Sequence, residues 1–324
     1  MKPTKASEKD VLRMVPETVP TLSVSSPWDF WLKFRNRSVD AEFEASISEE
    51  RKTLDGLGFK ISIAAAVLKI LSLGSMDTTS RALCLGWILL SGVILPWIHL
   101  RELTDRWDSY SRKRGRIHHF YKLAVPLGGA VVLLSQDPLS SWDSGRIWSS
   151  IVSNTPISAL FFATFFFRLP FKQHAVLQGI GALLSWMWVF NFDHACDANP
   201  EIADSTNRIG WLTEGAILTT AVFGIPVKRP TLQPNDFPCW LVGLFFHFWL
   251  GWFVPCVCAY YWESNSKTTF VKERPKGMPV VDFRTFKNGR GILMAFVSVV
   301  GTQAMWFTLK GLVNADLNCR AIKL

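Results

Sequence analysis

Residues 209–262 read IGWLTEGAILTTAVFGIPVKRPTLQPNDFPCWLVGLFFHFWLGWFVPCVCAYYW and contain two long apolar runs, Ile209–Val227 and Trp240–Trp262. A segment rich in proline and polar residues, Lys228–Pro238, separates the two runs. Each run has about the 20 residues that an α-helix needs to cross the hydrocarbon core of a bilayer. The stretch therefore predicts a pair of membrane-spanning helices and, for the whole chain, an all-α polytopic membrane protein.

The bulk composition agrees with this class. Hydrophobic residues make up 49% of the 324 residues and charged residues 19%, and the charged residues collect between the apolar blocks. The formal net charge of +9 would also suit a nucleic-acid-binding protein. However, most basic residues lie in the N-terminal region and in two loops beside apolar segments, where they favour contact with anionic lipid headgroups. We therefore expect the lipid bilayer as a partner and no nucleic acid.

Eight apolar segments are predicted to cross the membrane as helices. They are Phe59–Leu73, Ala82–Leu100, Ile117–Ser135, Ile151–Phe167, His174–Phe192, Ile209–Val227, Trp240–Trp262 and Gly291–Val313. Eight crossings place both termini in the cytoplasm with the basic loop Arg101–Lys122, as the positive-inside rule requires. The basic segment Glu263–Arg290 would then lie outside, against that rule. A weak segment that does not span, or a re-entrant element, would remove the conflict, so seven crossings are the alternative.

The charge pattern predicts three regions. Residues 1–55 form a cytoplasmic N-terminal tail, partly disordered, in which the alternating aromatic and basic residues 27–37 form a short interfacial helix or dock on the protein's own loops. Residues 38–55 should be solvated. Residues 56–313 form the helical bundle, and residues 314–324 form a short C-terminal tail. The acidic residues of the N-terminal tail argue against a cleaved signal, so we expect an integral protein of an endomembrane or the plasma membrane.

Glu214 lies inside the first run of the opening stretch and is the leading candidate for a catalytic residue. An ionisable group at bilayer depth costs a few kcal/mol, so it usually faces a bundle interior or a wet cavity. A carboxyl group in such a place can stay protonated at neutral pH. We therefore predict Glu214 as a proton donor. The alternative is that it lies at headgroup level or bonds a neighbouring helix.

His247 lies near the centre of the second run. Gly243 and Gly251 lie four residues before and after it, so in a regular α-helix the three share one face. Glycines allow a close approach of another helix, and a histidine between them can hydrogen-bond across the contact. His247 is therefore predicted either to hold two helices together or to act as a proton donor or ligand contact.

Asp193 and Asp197 lie four residues apart after the fifth segment. Two such carboxylates can hold Mg²⁺, but the sequence contains no convincing second acidic loop. We therefore predict a solvated acidic loop, no metal ion and no cofactor, with Asp193 supporting the other catalytic candidates. The six cysteines contain no pair spaced as in zinc sites and are predicted to be small buried side chains, with a disulfide or a metal site as the alternative.

Aromatic residues are abundant, with 15 tryptophans and 24 phenylalanines. Several tryptophans lie away from the segment ends where interfacial belts form. We predict that a substrate pocket is lined by Trp211, Trp249 and Trp252 together with Gln178. Because aromatic faces attract cations, such a pocket with one protonated acid would suit an isoprenoid cyclase-like reaction.

The leading functional hypothesis is a membrane-embedded enzyme acting on a lipophilic isoprenoid or lipid substrate. Glu214 would be its proton donor, and His247 and Asp193 would support it. A transporter or channel is the second hypothesis, although no repeat relates the two halves of the chain. A non-catalytic scaffold or receptor-like protein is the third. The sequence contains no phosphate-binding loop and no nucleophile or zinc motif of sharp spacing that would decide among them.

Overall fold

The computed structural model of the protein describes residues 32, 37–71, 78–137, 142, 144–220, 237–273, 295 and 297–311. Within these ranges the chain is a helical bundle without a β-strand, which confirms the predicted all-α class. The predicted interfacial helix at 27–37, apart from Leu32 and Arg37, lies outside the described residues. The predicted C-terminal tail at 314–324 also lies outside them.

Thirteen helices are described. They are α1 (Arg37–Ser46), α2 (Ser48–Leu71), α3 (Thr78–Ile88), α4 (Leu95–Asp105), α5 (Trp107–Leu134), α6 (Ile147–Asn154), α7 (Pro156–Phe166), α8 (Phe171–Ser185), α9 (Trp188–Ala198), α10 (Pro200–Thr220), α11 (Cys239–Phe248), α12 (Val254–Glu273) and α13 (297–311). Two π-helical turns, Leu89–Ile94 and Trp249–Phe253, join α3 to α4 and α11 to α12. Each joined pair therefore forms one long helix.

Three helices in the described ranges are long and apolar enough to cross a membrane. They are the α3–α4 helix from Arg81 to Asp105, α5, and the α11–α12 helix Cys239–Glu273. Helices α8 and α9 make a fourth if their 41° bend is counted within one span. This number is smaller than the seven or eight predicted. One reason is that the predicted segment Ile151–Phe167 is interrupted at Thr155, where α6 ends and Pro156 begins α7.

Two regions predicted as loops are largely helical. The basic segment Arg101–Lys122 contains the end of α4 and the first half of α5, interrupted at Arg106 alone. The acidic segment Asp193–Arg208 contains the end of α9 and the first half of α10. Lysine, arginine and glutamate are good helix formers, so helices continue beyond their apolar parts.

Helix α5 lies at the centre of the bundle and packs against α7 and α8. Its contact with α8 is so close that a Cβ atom on Gly181 would overlap the carbonyl oxygen of Lys122. Its contact with α3 is similarly close, since Gly128 lies directly against the indole ring of Trp87. Small residues are what permit such approaches between helices.

Side-chain contacts define two ends of the bundle. At the basic end, Arg168, which follows α7, pairs with Glu50 of α2 at 3.0 Å, and Lys267 of α12 lies 3.7 Å from Asp40 of α1. At the disulfide end, Cys196 of α9 is bonded to Cys239 of α11. The sequence-based reading of the cysteines as small buried side chains is therefore wrong for this pair.

Helix α1 packs on the bundle, so the prediction that residues 38–55 are solvated is wrong. Val39 and Phe43 are buried, and the ring of Phe43 packs edge-on against Phe270 of α12 at 5.5 Å. The buried Lys267 side chain donates to the carbonyl oxygen of Leu32. Helix α1 and the end of α12 thus pack together at the basic end.

Candidate functional site

Glu214, the predicted proton donor, lies on α10 and is the ion-pair partner of Lys310. The Nζ atom of Lys310 lies 2.8 Å from Glu214 Oε1, and the lysine is 2% exposed. The same Nζ atom lies 5.1 Å above the ring of Phe237. Glu214 therefore supplies the negative charge for a buried lysine and joins α10 to α13.

His247 has a partner for each ring nitrogen. The indole N–H of Trp188 donates to His247 Nδ1 at 3.0 Å, and Nε2 lies 2.8 Å from the carbonyl oxygen of Ala182. Because Nδ1 accepts, the ring proton is on Nε2 and that nitrogen donates to Ala182. The side chain is fully buried. These contacts hold α11 against α8 and α9, as one of the two sequence-based readings expects.

Asp193 and the predicted pocket residues contact different parts of the bundle. Asp193 Oδ1 accepts the backbone N–H of Trp240 at 3.1 Å, beside the disulfide. Trp249 donates to Thr302 of α13, whereas Trp252 donates to the carbonyl oxygen of Ala175 of α8. Trp211 is 46% exposed. Glu214, His247 and Asp193 thus bind separate partners, and their catalytic role stays a prediction.

Gln178 is fully buried and takes part in a polar cluster that the sequence analysis missed. Its Nε2 atom donates to the carbonyl oxygens of Leu160 and Gly251, each at 2.7 Å. Its Oε1 atom accepts from Lys122 of α5 at 3.2 Å. Gln178 therefore joins α8 to α5, α7 and the π-helical turn at Trp249–Phe253.

A buried carboxylate, Asp55 of α2, anchors a second polar cluster on α5. It accepts the Tyr110 hydroxyl at 2.9 Å and Arg114 Nε and Nη2 at 2.6 and 3.1 Å. His118 Nε2 lies 3.2 Å from Asp55 Oδ1.

His118 and Tyr121 connect this polar cluster to a group of packed aromatic rings. The two residues are three positions apart on α5 and share a face. Phe167 packs against both rings, with centroid distances of 5.3 Å to His118 and 4.6 Å to Tyr121. Phe59 of α2 packs against Tyr121 at 5.8 Å. Within the described residues, both ring nitrogens of His118 and the Tyr121 hydroxyl are buried and have no hydrogen-bond partner.

Tyr121 lines a cavity of about 440 Å³ between α2, α3, α5 and α7. Most of the lining is apolar, and Trp87, Phe162 and Phe167 contribute aromatic faces. Ala65, which also lines the cavity, is exposed on the side of the bundle. The cavity is therefore a side pocket for an apolar molecule, and Tyr121 is part of its lining.

Asp55, His118 and Tyr121 were not among the sequence-predicted site residues. A signal for them exists, because Tyr110, Arg114, His118, Tyr121 and Val125 recur every three or four residues and share one helical face. This periodicity is typical of a helix and does not agree with the prediction of a loop at Arg101–Lys122. His118, within the segment predicted as a loop, is fully buried.

The described residues contain no group of three or more histidine, cysteine, aspartate or glutamate side chains that could hold a metal ion. Comparisons of the chain with protein families, with curated proteins and with solved structures found no match. The function is therefore inferred from the geometry of this chain.

Proposed function

We propose that the chain is a multi-pass membrane enzyme that acts on a lipophilic substrate, an isoprenoid or another lipid. The observation that carries the proposal is the 440 Å³ cavity, whose lining is mostly apolar and includes Tyr121. Pockets of about 300–1,000 Å³ with apolar walls and few polar groups are typical of small-molecule sites. A substrate dissolved in the bilayer would reach this one from the side of the bundle, past Ala65.

The polar residues beside the cavity suit general acid–base chemistry. Tyr121 would hydrogen-bond the polar end of the substrate and hold or release a proton there. His118, one turn earlier on the same face, has Nε2 at 3.2 Å from Asp55 Oδ1, and neither ring nitrogen has a hydrogen-bond partner among the described residues. A carboxylate that orients a histidine is the usual arrangement for a general base. An acid-initiated cyclisation through Glu214 stays a second version of this proposal, and it requires Glu214 to leave Lys310.

We further propose seven crossings, with the basic end in the cytoplasm. Arg168 and Lys267 mark that end, in agreement with the positive-inside rule. The Cys196–Cys239 disulfide marks the other end, which would face an oxidising compartment such as an organelle lumen or the cell exterior. The basic residues and the disulfide therefore favour the same orientation in the membrane.

Helix α10 would be the re-entrant element that reduces eight crossings to seven. It starts after α9 at the disulfide end, and the chain is back beside it at Phe237, whose N–H donates to Asn207 at 3.2 Å. The crossings would then be α2, α3–α4, α5, α6–α7, α8–α9, α11–α12 and α13. This arrangement places the basic segment Glu263–Arg290 in the cytoplasm and removes the conflict with the positive-inside rule.

The orientation predicts which loops receive N-linked glycans. An Asn-Ser-Thr acceptor flanked by a flexible spacer, inserted after Pro138, is expected to be glycosylated because it would face the lumen. The same insertion after Gly277 is expected to stay unmodified because it would face the cytoplasm. The gel mobility of each variant, with and without glycosidase, gives the result. Glycosylation after Gly277 would contradict seven crossings, and no glycosylation after Pro138 would contradict the orientation.

The enzyme proposal predicts that Tyr121→Phe removes a product. Extracts of membranes carrying the wild-type chain should contain a lipid-soluble compound that is absent from membranes without the chain. With Tyr121→Phe its rate of formation should fall by about 10²-fold or more, as losses of a general acid or base do. Ala159→Trp, which fills the cavity, should abolish it. Chromatography with mass spectrometry of total lipid extracts measures the compound.

Tyr261→Phe is the matched control, because Tyr261 is 56% exposed and lies on α12, away from the cavity. It should leave the product unchanged. Glu214→Gln tests the second version, and a loss confined to that variant would move the chemistry from Tyr121 to Glu214. Identical extracts with and without the wild-type chain would end the enzyme proposal and favour a transporter, a channel or a scaffold.

A further inference from the structure

Lys122 of α5 is a buried lysine whose hydrogen-bond partners are all uncharged. The side chain is fully buried. Its Nζ atom lies 2.9 Å from His174 Nδ1, 3.2 Å from Gln178 Oε1 and 3.4 Å from the carbonyl oxygen of Ala163. A lysine ammonium group has three donors and no acceptor. The three acceptors around Nζ therefore match its three donors.

Other buried basic side chains of the described residues have a carboxylate. Arg114 pairs with Asp55, Lys267 with Glu263 and Lys310 with Glu214. In the same part of the chain, Lys122 forms no ion pair with an acidic side chain. A buried charge without a counter-ion is costly. The protonated form of Lys122 therefore has no counter-ion in this cluster.

His174 contacts Lys122 and also lines a cavity. Because Lys122 donates to Nδ1, the neutral ring carries its proton on Nε2. The side chain is 1% exposed, and Nε2 has no hydrogen-bond partner among the described residues. An N–H group that is buried and unsatisfied normally has an acceptor in the working protein. His174 lines a cavity of about 50 Å³ at the basic end.

The cavity is small and its other charged groups are already paired. Arg168 binds Glu50 at 3.0 Å and lies over the ring of Trp262 at 4.6 Å. Glu263 binds Lys267 at 3.0 Å and accepts the backbone N–H of Phe171. Arg51, the remaining charged residue of the lining, binds Glu44. Since one water needs about 10–15 Å³, 50 Å³ holds a few waters or one small polar group.

We propose that this cavity is a binding site for a small oxyanion, a carboxylate or phosphate group. The anion would accept the Nε2–H of His174, and its charge would balance that of Lys122 behind the ring. It would enter from the basic end, and its site lies on the opposite side of the α7 C-terminus from the cavity at Tyr121. The inference is independent of the lipophilic substrate proposed above.

The test measures binding of inorganic phosphate and of acetate to the full chain in detergent micelles. Each anion replaces chloride at constant ionic strength, and the unfolding temperature and the binding of radiolabelled phosphate are followed. We expect a saturable rise in unfolding temperature with one or both anions. Lys122→Met should abolish both the rise and the binding, and His174→Phe should weaken binding at least tenfold.

Lys310→Met is the matched control, since it also removes a buried lysine but at the Glu214 contact. It should retain wild-type anion binding. Saturation by phosphate alone identifies a phosphate site, and saturation by acetate alone a carboxylate site. Absence of saturable binding to the wild type would overturn the proposal, as would equal binding by Lys122→Met. If Lys122→Met does not fold, the wild-type titration and His174→Phe decide.

Discussion

Replacing Arg114 by leucine is expected to lower the free energy of unfolding by about 3–5 kcal/mol, the usual effect of breaking a buried ion pair. Arg114 Nε and Nη2 bind both oxygens of Asp55, which is fully buried, and Nη2 also donates to the carbonyl oxygen of Arg168. The substitution leaves a buried carboxylate with Tyr110 and a histidine as its remaining partners. Unfolding of the purified chain by added SDS in detergent micelles measures the change.

Arg101→Leu is the control for this prediction. Arg101 also pairs with a carboxylate, Asp105, but at 3.5 Å and with a 79% exposed side chain. Exposed pairs contribute less than about 1 kcal/mol, so unfolding should hardly change. An equal loss of unfolding free energy in both variants would contradict the assignment of the effect to the buried Asp55–Arg114 pair. The double substitution Asp55→Asn, Arg114→Leu should recover part of the loss, because the stranded charge is gone.

Removing the disulfide is expected to destabilise the chain by about 4 kcal/mol. Cys196 and Cys239 are 43 positions apart, and a link over that distance removes about this much conformational entropy from the unfolded chain. The double variant Cys196→Ala, Cys239→Ala should therefore unfold at a markedly lower SDS concentration. Because the link closes the segment that contains α10, we expect that segment to become sensitive to protease first.

Cys258→Ala provides the comparison, because Cys258 is half-buried and free. It should change the free energy of unfolding by less than about 1 kcal/mol. Reduction of the wild-type chain should reproduce the double variant and leave the double variant itself unchanged. An equal effect of reductant on both chains would show that the bond does not contribute to stability.

Much of the fold could be predicted because apolar residues occur in long blocks. The blocks around Trp87 and Phe246 are parts of long helices at the predicted places. The prediction was wrong where charge was equated with a loop, as at Arg101–Lys122. Charged residues are compatible with a helix. Helix α4 ends because the backbone of one residue, Arg106, is non-helical.

The candidate site was harder to predict because partners come from distant parts of the chain. Asp55 and Arg114 are separated by 59 positions, and Lys122 and His174 by 52. Neither pair can therefore be recognised as a short sequence motif. Glu214 was chosen because a carboxyl group in an apolar run is unusual, but its partner Lys310 is 96 positions away. Lys310 lies near the end of the predicted segment Gly291–Val313, and no local pattern joins it to Glu214.

The π-helical turns change how the two helices that contain them can be compared with other sequences. A regular helix would place Gly243, His247 and Gly251 on one face, yet Gly243 packs on Val189 and Phe192 whereas Gly251 packs on Leu160. A π-helical turn accommodates one residue more than a regular turn. Loss of one residue at Trp249–Phe253 would therefore give a regular helix without changing which faces α11 and α12 present. A relative that lacks this residue, if it were aligned without a gap there, would have every position of α12 assigned to the wrong face.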